Sequence, residues 1–190
     1  MVKGVIFDMD GLMFDTERLW DKMWEPACKA LGLPLPEDLA AFSASCRGLA
    51  GDNLRSQVAK YIPGDPQRLL DKVWQMADER FAQGVPCKKG LKELLTALDD
   101  RGMPRIVASS SPRTMIEMNL QNTGTARYFH DVVSGTEVKH SKPAPDTFLL
   151  AAEKLHLDPK DCLVLEDSFN GVRAGRAAGC AVSYTHLRAH

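Results

Sequence analysis

The sequence predicts an α/β protein, a Rossmann-like parallel sheet flanked by helices, with a separate helical segment inserted after the first strand. Three observations lead there. Short apolar runs, Val5-Ile6-Phe7, Arg105-Ile106-Val107-Ala108 and Cys162-Leu163-Val164-Leu165, read as strands buried on both faces, as in the middle of a parallel sheet. Helical patterns separate the later runs, and repeated βα units of this length imply parallel strands joined by right-handed crossovers. Between Thr16 and about Gln83 no convincing strand interrupts the helical spacing. Residues 1–15 and 88–182 are therefore assigned to the α/β core and residues 16–87 to a helical cap.

The elements follow in chain order. Val5-Ile6-Phe7 runs straight into Asp8-Met9-Asp10-Gly11: two carboxylates at a strand's carboxyl end, followed by a residue that permits a turn. Leu19, Met23, Trp24, Ala27, Ala30 and Leu31 then recur at three and four residues, an amphipathic helix ended by Gly32 and Pro34. Pro36-Glu37-Asp38 starts a second helix, Asp52 or Asn53 caps a third, and Asp65-Pro66 opens a fourth. Gly84 to Lys89 reads as the return linker. Leu91, Leu94, Leu95 and Leu98 mark a helix stopped by Gly102. The next strand runs into Ser109-Ser110-Ser111-Pro112. A helix through Met115–Leu120 and a short strand at Val132-Val133 follow. Ser141-Lys142-Pro143-Ala144-Pro145-Asp146 is a constrained turn before the helix Thr147–Leu155. The last buried strand ends in Glu166-Asp167-Ser168, and Gly171, Gly175 and Gly179 on the next helix let it approach the sheet closely.

Size and charge narrow the function. At 190 residues the chain holds one ordinary core plus a small insert. With 24 Lys and Arg against 25 Asp and Glu, nothing points to nucleic acid or an anionic membrane as partner. The expected partner is a small molecule and the expected state a monomer. Five scattered cysteines without a Cys-x-x-Cys pair argue against a disulfide framework or structural zinc and fit a reducing cytoplasm. The apolar stretch before Asp8 is too short for a signal peptide, and no stretch approaches a membrane span.

Taken singly, each polar motif has an ordinary explanation. Ser109–Ser111 could cap a helix, Lys142 beside prolines could be a solvated turn residue, and Asp167 or Ser168 could cap the helix that follows. The acids after the first strand do not make a calcium loop, because Gly11 comes too early and a strand rather than a helix precedes it. Taken jointly, the motifs supply two acids, hydroxyls, a lysine and a second acidic pair on one sheet edge. In open α/β sheets ligands bind beyond the carboxyl ends of the strands. The chemistry that needs this set is phosphoryl transfer through an aspartyl phosphate. A carboxylate about 4 Å from a phosphate dianion meets a repulsion of roughly 8 kcal/mol at an effective dielectric near 20. A divalent cation, a lysine and neutral donors would offset it.

In order, Asp8-Met9-Asp10-Gly11, Ile106-Val107-Ala108-Ser109-Ser110, Ser141-Lys142-Pro143 and Leu165-Glu166-Asp167-Ser168 resemble the four motifs of the haloacid dehalogenase-like phosphatases. The resemblance spans nearly the whole chain. The position of the insert, with Asp15-Thr16-Glu17 at its hinge, is similar to the subfamily of β-phosphoglucomutase and sugar-phosphate phosphatases. It implies Asp8 as nucleophile, Asp10 as general acid/base, Ser109 as phosphoryl donor and Lys142 as charge partner. It also implies Mg²⁺ on Asp8, the Asp10 backbone carbonyl and Asp167, with Glu166 in or beside that shell. Ser110, Arg47 and Trp20 are the candidate substrate contacts, with Met23 and Trp24 also facing the site. Arg47 is preferred because a guanidinium clamps a phosphate or sugar oxygen.

The function implied is a Mg²⁺-dependent phosphatase of small phosphorylated metabolites, sugar phosphates in the first place; the alternative is a phosphosugar mutase. In the β-phosphoglucomutase pattern a histidine follows the aspartate matching Asp15 by five residues and an arginine follows the glycine matching Gly48 by three. Here those places hold Trp20 and Gly51, although Arg47 or Arg55 could compensate in part. A signalling receiver domain is the rival from another class. There the phosphoaspartate follows the third strand, where this sequence offers no acceptor, and a lid-sized insert has no place. Relatives of this type continue for a further strand and helix beyond Cys180-Ala181-Val182, so residues 183–190 read as a foreign tail on a shortened fold.

Overall fold

In the computed structural model residues 1–184 are described, apart from the side chains of residues 17 and 18. Strand β1 (Gly4–Phe7) leads into five helices, α1 (Glu17–Asp21), α2 (Trp24–Leu31), α3 (Leu39–Cys46), α4 (Gly51–Tyr61) and α5 (Pro66–Phe81). The chain then alternates: α6 (Leu91–Asp99), β2 (Arg105–Ser109), α7 (Arg113–Asn122), β3 (Val132–Ser134), α8 (Asp146–Lys154), β4 (Cys162–Glu166), α9 (Phe169–Ala177) and β5 (Ala181–Tyr184). The strands form one sheet in the order β3-β2-β1-β4-β5, with every pairing parallel. β1 lies at the centre, and strand order reverses beside it. That puts Asp8 at the position where ligands gather in open α/β sheets.

Alternation along the strands builds a core on each face. Val5, Phe7 and Val107 point to one side, packed with Leu91 and Leu95 of α6 and Met115, Ile116 and Leu120 of α7. Ile6, Ile106, Ala108 and Val164 point to the other, against Phe148, Ala151 and Ala152 of α8 and Ala174 of α9. Successive strand residues face opposite ways, so each face collects every second side chain. Each such aliphatic or aromatic side chain contributes about 1.5–3 kcal/mol when fully buried. The insert has its own core of Trp24, Ala27, Phe42, Leu54, Val58, Leu69, Leu70 and Val73. Ala77 and Phe81 at the end of α5 sink into the α/β core instead.

The two linkers to the insert run side by side. Phe14 bridges Cys87 in antiparallel fashion. The Asp15 amide donates to the Pro86 carbonyl at 3.0 Å and the Lys88 amide to the Met13 carbonyl at 2.9 Å. The Lys88 ammonium also meets Asp15 at 3.1 Å.

Four local expectations are corrected. The single helix expected from Leu19 to Leu31 is broken, because the Lys22 amide folds back onto the Leu19 and Trp20 carbonyls and tightens the turn. Trp20 and Met23 thereby touch both the insert's core and the sheet's, while Trp24 stays within the insert's. Asp52 and Asn53 do not cap α4. The cap position is Ala50, with no side-chain bond, and Asn53 reaches Ser141 instead. Among the three glycines expected to admit close packing, Gly171 and Gly175 do so, but Gly179 has nothing within 4 Å and ends its helix at a φ of +84°. β5, finally, pairs Ser183 with Leu165 and Tyr184 with Glu166. The strand thus runs two residues into the stretch read as a tail, whose last six residues lie outside the described residues.

All five cysteines are free thiols. Burial pushes Cys46 up to about 12 and Cys180 up to about 11, far from the thiolate that a nucleophile requires at neutral pH. Among the described residues no helix is long and apolar enough to cross a membrane.

Candidate active site

β1, β2 and β4 end on one edge of the sheet, and the turn before α8 inserts a lysine between them. The Asp8 amide donates to the Leu165 carbonyl at 3.0 Å, which fastens the first residue beyond β1 to β4. Lys142 is wholly buried, contrary to the ordinary fate of a turn lysine. Its Nζ lies 2.6 Å from Asp8 Oδ1, 2.8 Å from Glu166 Oε1 and 3.2 Å from the Ala108 carbonyl, and 4.6 Å from the centre of the Phe148 ring. Burial alone would push the lysine down, but the charges and hydrogen bonds of Asp8 and Glu166 more than reverse that and raise it. Asp8 is held well above the usual carboxylate range, first by burial. Lys142 opposes that rise, and Glu166, Asp167 and Asp10 add to it.

Asp10 is anchored by three donors. Its Oδ2 accepts from Ser109 Oγ at 3.1 Å and Ser111 Oγ at 2.8 Å, and its Oδ1 from Trp20 Nε1 at 3.3 Å. The serines at the end of β2 therefore do not cap α7, whose cap position is Pro112. Ser109 is fully buried and also accepts the Ser111 amide at 3.0 Å. Ser110 and Ser111, rather than Ser109, line the cavity above the site.

At the end of β4 the two expected roles divide. Ser168 caps α9 by accepting the Gly171 amide at 3.0 Å, whereas Asp167 faces the cavity. Glu166 Oε2 accepts the Ser168 amide at 2.7 Å and its hydroxyl at 3.0 Å, so this carboxylate is fixed from one side by the helix start and from the other by Lys142. Ligand atoms of Asp8, Glu166 and Asp167 lie within 4.8 Å of one another. The carboxylate of Asp10 is not in that group. A Cβ on Gly171 would stand 1.7 Å from Glu166 Oε1, and no side chain tolerates that approach. Gly171→Ala is therefore expected to displace Glu166 and lower kcat by at least about tenfold, with a measurable fall in Tm. Unchanged turnover and melting would show that Glu166 is not held where it is needed.

The insert closes over this edge. Ser110 Oγ donates to the Gly48 carbonyl at 3.1 Å, and Asn170 Nδ2 to the Arg47 carbonyl at 2.9 Å. Ser141 Oγ donates to the Ala50 carbonyl at 2.6 Å and accepts the Ala50 amide at 3.2 Å. Gly48 has a φ of +72°, and a Cβ there would lie 2.7 Å from Ser168 Oγ, so both backbone and space require glycine. The segment beyond α3 thus rests on the loops after β2 and β4 and on the lysine turn. Above Asp8 and Asp10 it leaves a cavity of about 840 Å³, which includes its open mouth.

A family model described as haloacid dehalogenase-like hydrolase matches residues 2–179. The chain belongs to that family. It is 33% identical to the fructose-1-phosphate phosphatase YqaB of Escherichia coli, over 93% of this chain and 92% of the relative. It is 28% identical to a phosphorylated carbohydrates phosphatase of Thermotoga maritima, over 94% and 82%. Among solved structures, a CbbY variant from Rhodobacter sphaeroides in complex with xylulose-(1,5)bisphosphate has a TM-score of 0.82 at 24% identity, covering 97% of this chain and 87% of that one. That last likeness speaks for the fold.

In this haloacid dehalogenase-like hydrolase Asp8, Asp10, Ser109, Lys142, Glu166 and Asp167 come together at one edge of the sheet. Trp20, Trp24 and Arg47 line the cavity, and Met23 does not: its side chain packs in the seam between insert and core. Arg55 turns away, to Gln67 and Asp52. Ser111, Asp21, Ser43 and Trp74 also line the cavity, although none of them was a candidate contact from the sequence. Ser111 had a signal, since it stands in the same hydroxyl run as Ser109. Asp21 and Ser43 had none, because their bond joins residues 22 apart on two helices.

Proposed function

We propose that this hydrolase is a Mg²⁺-dependent phosphatase of small phosphorylated metabolites, with residues 16–87 as its cap. The observation that carries the reading is the fully buried Lys142 bound to Asp8, with Asp10 held beside them by serine hydroxyls. Lys142 fixes Asp8 Oδ1 and leaves Oδ2 to attack phosphorus. The new bond joins Oδ2 to phosphorus, the bond to the ester oxygen breaks, and a proton on Asp10 passes to the departing oxygen. Asp10 then takes a proton from water as that water attacks phosphorus. The bond between phosphorus and Asp8 Oδ2 breaks as the bond to the water oxygen forms, inorganic phosphate leaves, and Asp8 is a carboxylate again. Asp10 Oδ2 accepts from two serines and Oδ1 from Trp20 Nε1 at the longer distance of 3.3 Å, so Oδ1 is the oxygen better placed to exchange these protons.

The donor set fits a divalent cation. Asp8, Glu166 and Asp167 offer hard oxygen ligands, and three carboxylates against the one ammonium of Lys142 leave two formal negative charges to be balanced. Asp8, Asp167 and the Asp10 carbonyl would hold Mg²⁺, with Glu166 beside them. The ion would supply charge neutralisation for the phosphoryl group.

Hydrolysis is favoured over mutase chemistry by the cavity lining. Among the described residues lining the cavity Arg47 is the one basic side chain, and it pairs with Asp21 at 2.9 Å. A mutase needs a second phosphate site in its cap. The test is phosphate release from a panel of phosphate esters, with and without EDTA. EDTA should cut the rate at least about 100-fold, with recovery on adding Mg²⁺, and an EDTA-insensitive rate overturns the metal's part. With β-glucose 1-phosphate and a trace of the 1,6-bisphosphate, free phosphate should form faster than glucose 6-phosphate; the reverse order makes the enzyme a mutase.

A further inference from the structure

We infer that the seated insert holds Lys142 in place, with Ala50 and Asn53 of the insert acting on the lysine through Ser141. This rests on the phosphatase reading above, and it makes Asn53, which does not line the cavity, a positioning residue for the reaction. A hydroxyl has one proton to donate and two lone pairs with which to accept, and the Ser141 hydroxyl uses all three on the insert. It donates to the Ala50 carbonyl at 2.6 Å and accepts from the Ala50 amide at 3.2 Å and from Asn53 Nδ2 at 3.3 Å. Asn53 Nδ2 also reaches the Ser141 carbonyl at 3.2 Å. That carbonyl closes the turn around the lysine, accepting the Ala144 amide at 3.0 Å. The insert thus grips the residue before Lys142 by both its hydroxyl and its carbonyl.

The grip is built into the start of α4. Ala50 stands at the cap position without a side-chain bond, and the Ser141 hydroxyl binds the main chain of that same residue from the α/β core. The fit there is close: Ser141 is only 5% exposed, and a Cβ on the neighbouring Gly135 would stand 3.2 Å from the Ala50 Cβ. Beyond the turn the lysine has little freedom. Its Nζ must meet Asp8, Glu166 and the Ala108 carbonyl at 2.6, 2.8 and 3.2 Å, and a misplacement of about 1 Å can cost about 100-fold in rate. The other bonds from the core to the segment beyond α3, from Ser110 to the Gly48 carbonyl and from Asn170 to the Arg47 carbonyl, do not involve the lysine turn. Loss of the Ser141 contacts therefore acts on turnover rather than on substrate binding, and loosening the seam at Asn170 does not reach Lys142.

The experiment measures kcat, KM and Tm at saturating Mg²⁺ for glucose 6-phosphate and for acetyl phosphate, which carries no sugar for the insert to hold. Asn53 is an exposed residue in the first turn of α4, where alanine suits a helix, so Asn53→Ala is expected to fold and melt as the wild type does. It should lower kcat at least about threefold, and Ser141→Ala at least about tenfold, on both substrates. KM should stay within about twofold of wild type, the mark of a residue that acts on the chemical step. The double variant should lose less than the product of the two single losses, as residues sharing one contact do. Asn170→Ala, which loosens the seam beside β4, should keep kcat within about twofold of wild type. Wild-type kcat in Asn53→Ala, a loss confined to KM or to glucose 6-phosphate, fully multiplicative losses in the double variant, or a loss in Asn170→Ala equal to that in Asn53→Ala overturns the inference. If the wild-type protein releases phosphate from neither substrate, the phosphatase reading itself falls and takes this inference with it.

Discussion

Asp8→Asn is expected to reduce phosphate release by about 10⁴-fold or more while leaving the protein folded. The substitution is nearly isosteric, so the residue still fits the buried space at the end of β1 and an amide oxygen can still accept from Lys142 at the position of Oδ1. The amide nitrogen has no lone pair to offer phosphorus, and the aspartyl phosphate cannot form. Neighbouring carboxylates do not take over. Glu166 is tied to Ser168 and Lys142, and Asp10 is turned toward Ser109 and Ser111. Steady-state phosphate release, alongside circular dichroism and Tm to show that the fold persists, makes the measurement. A folded Asp8→Asn protein keeping more than about 1% of wild-type turnover would remove Asp8 from its role.

Lys142→Met should be nearly as damaging to turnover and far more damaging to stability. Methionine has a similar length and enters the same space against Phe148, but the two carboxylates lose their shared cation. Breaking a buried ion pair from one side costs about 3–5 kcal/mol, because an uncompensated charge stays buried. For a domain of this size that is a fall in Tm of about 10 °C or more. The sign with pH follows from Asp8, which is already raised by burial and for which Lys142 is the opposing influence. Removing the lysine raises Asp8 further above its unfolded value. The deficit is then largest at neutral pH and shrinks as pH falls through the raised value, where the carboxyl becomes neutral. Urea melts of both proteins between about pH 5 and 8 test this. A deficit that grows on acidification, or none at any pH, would show that Lys142 does not balance these charges.

The outer surface holds a smaller, related effect. Arg113 and Lys154 tie Asp131 and Glu137 together on either side of β3, and both acids are held below their ordinary values: Glu137 first by its bonds to Arg113, and Asp131 because Lys154, the Val132 amide and Arg113 together outweigh the upward effect of burial. Their support is present above the unfolded carboxylate values and is lost as pH falls through the lower folded ones. These side chains are substantially exposed, so solvent screens the network and its share is small.

The fold and the chemical set were legible in the sequence because both are written in local patterns. Apolar runs of strand length ending in Asp8, Ser109 and Glu166-Asp167 are visible one segment at a time, and parallel βα topology brings such ends to one edge. The helical character of the segment after β1 was legible for the same reason, since helical spacing without an intervening strand needs no distant partner, although five helices form where four were expected. The break between α1 and α2 was not. It depends on where Trp20 lands, against Asp10 and edge-on to Phe81 at 5.4 Å, and neither partner is near it in the chain.

What the sequence by itself determined is therefore the α/β class, the alternation of strands and helices in the core, and the polar residues that end its strands. Tertiary structure alone decided how those residues are used. Ser109, expected at the phosphoryl group, is buried against Asp10, because Asp10 and the end of β2 meet only when β1 and β2 pair in register. Arg47, expected as a clamp, is drawn to Asp21 across two helices of the insert. The cavity lining likewise arises only when Trp20 and Trp74, 54 positions apart in the sequence, come to one place in the folded chain. Local pattern records which groups a segment can offer; which of them face one another is set by long-range packing, and no window of sequence contains both partners.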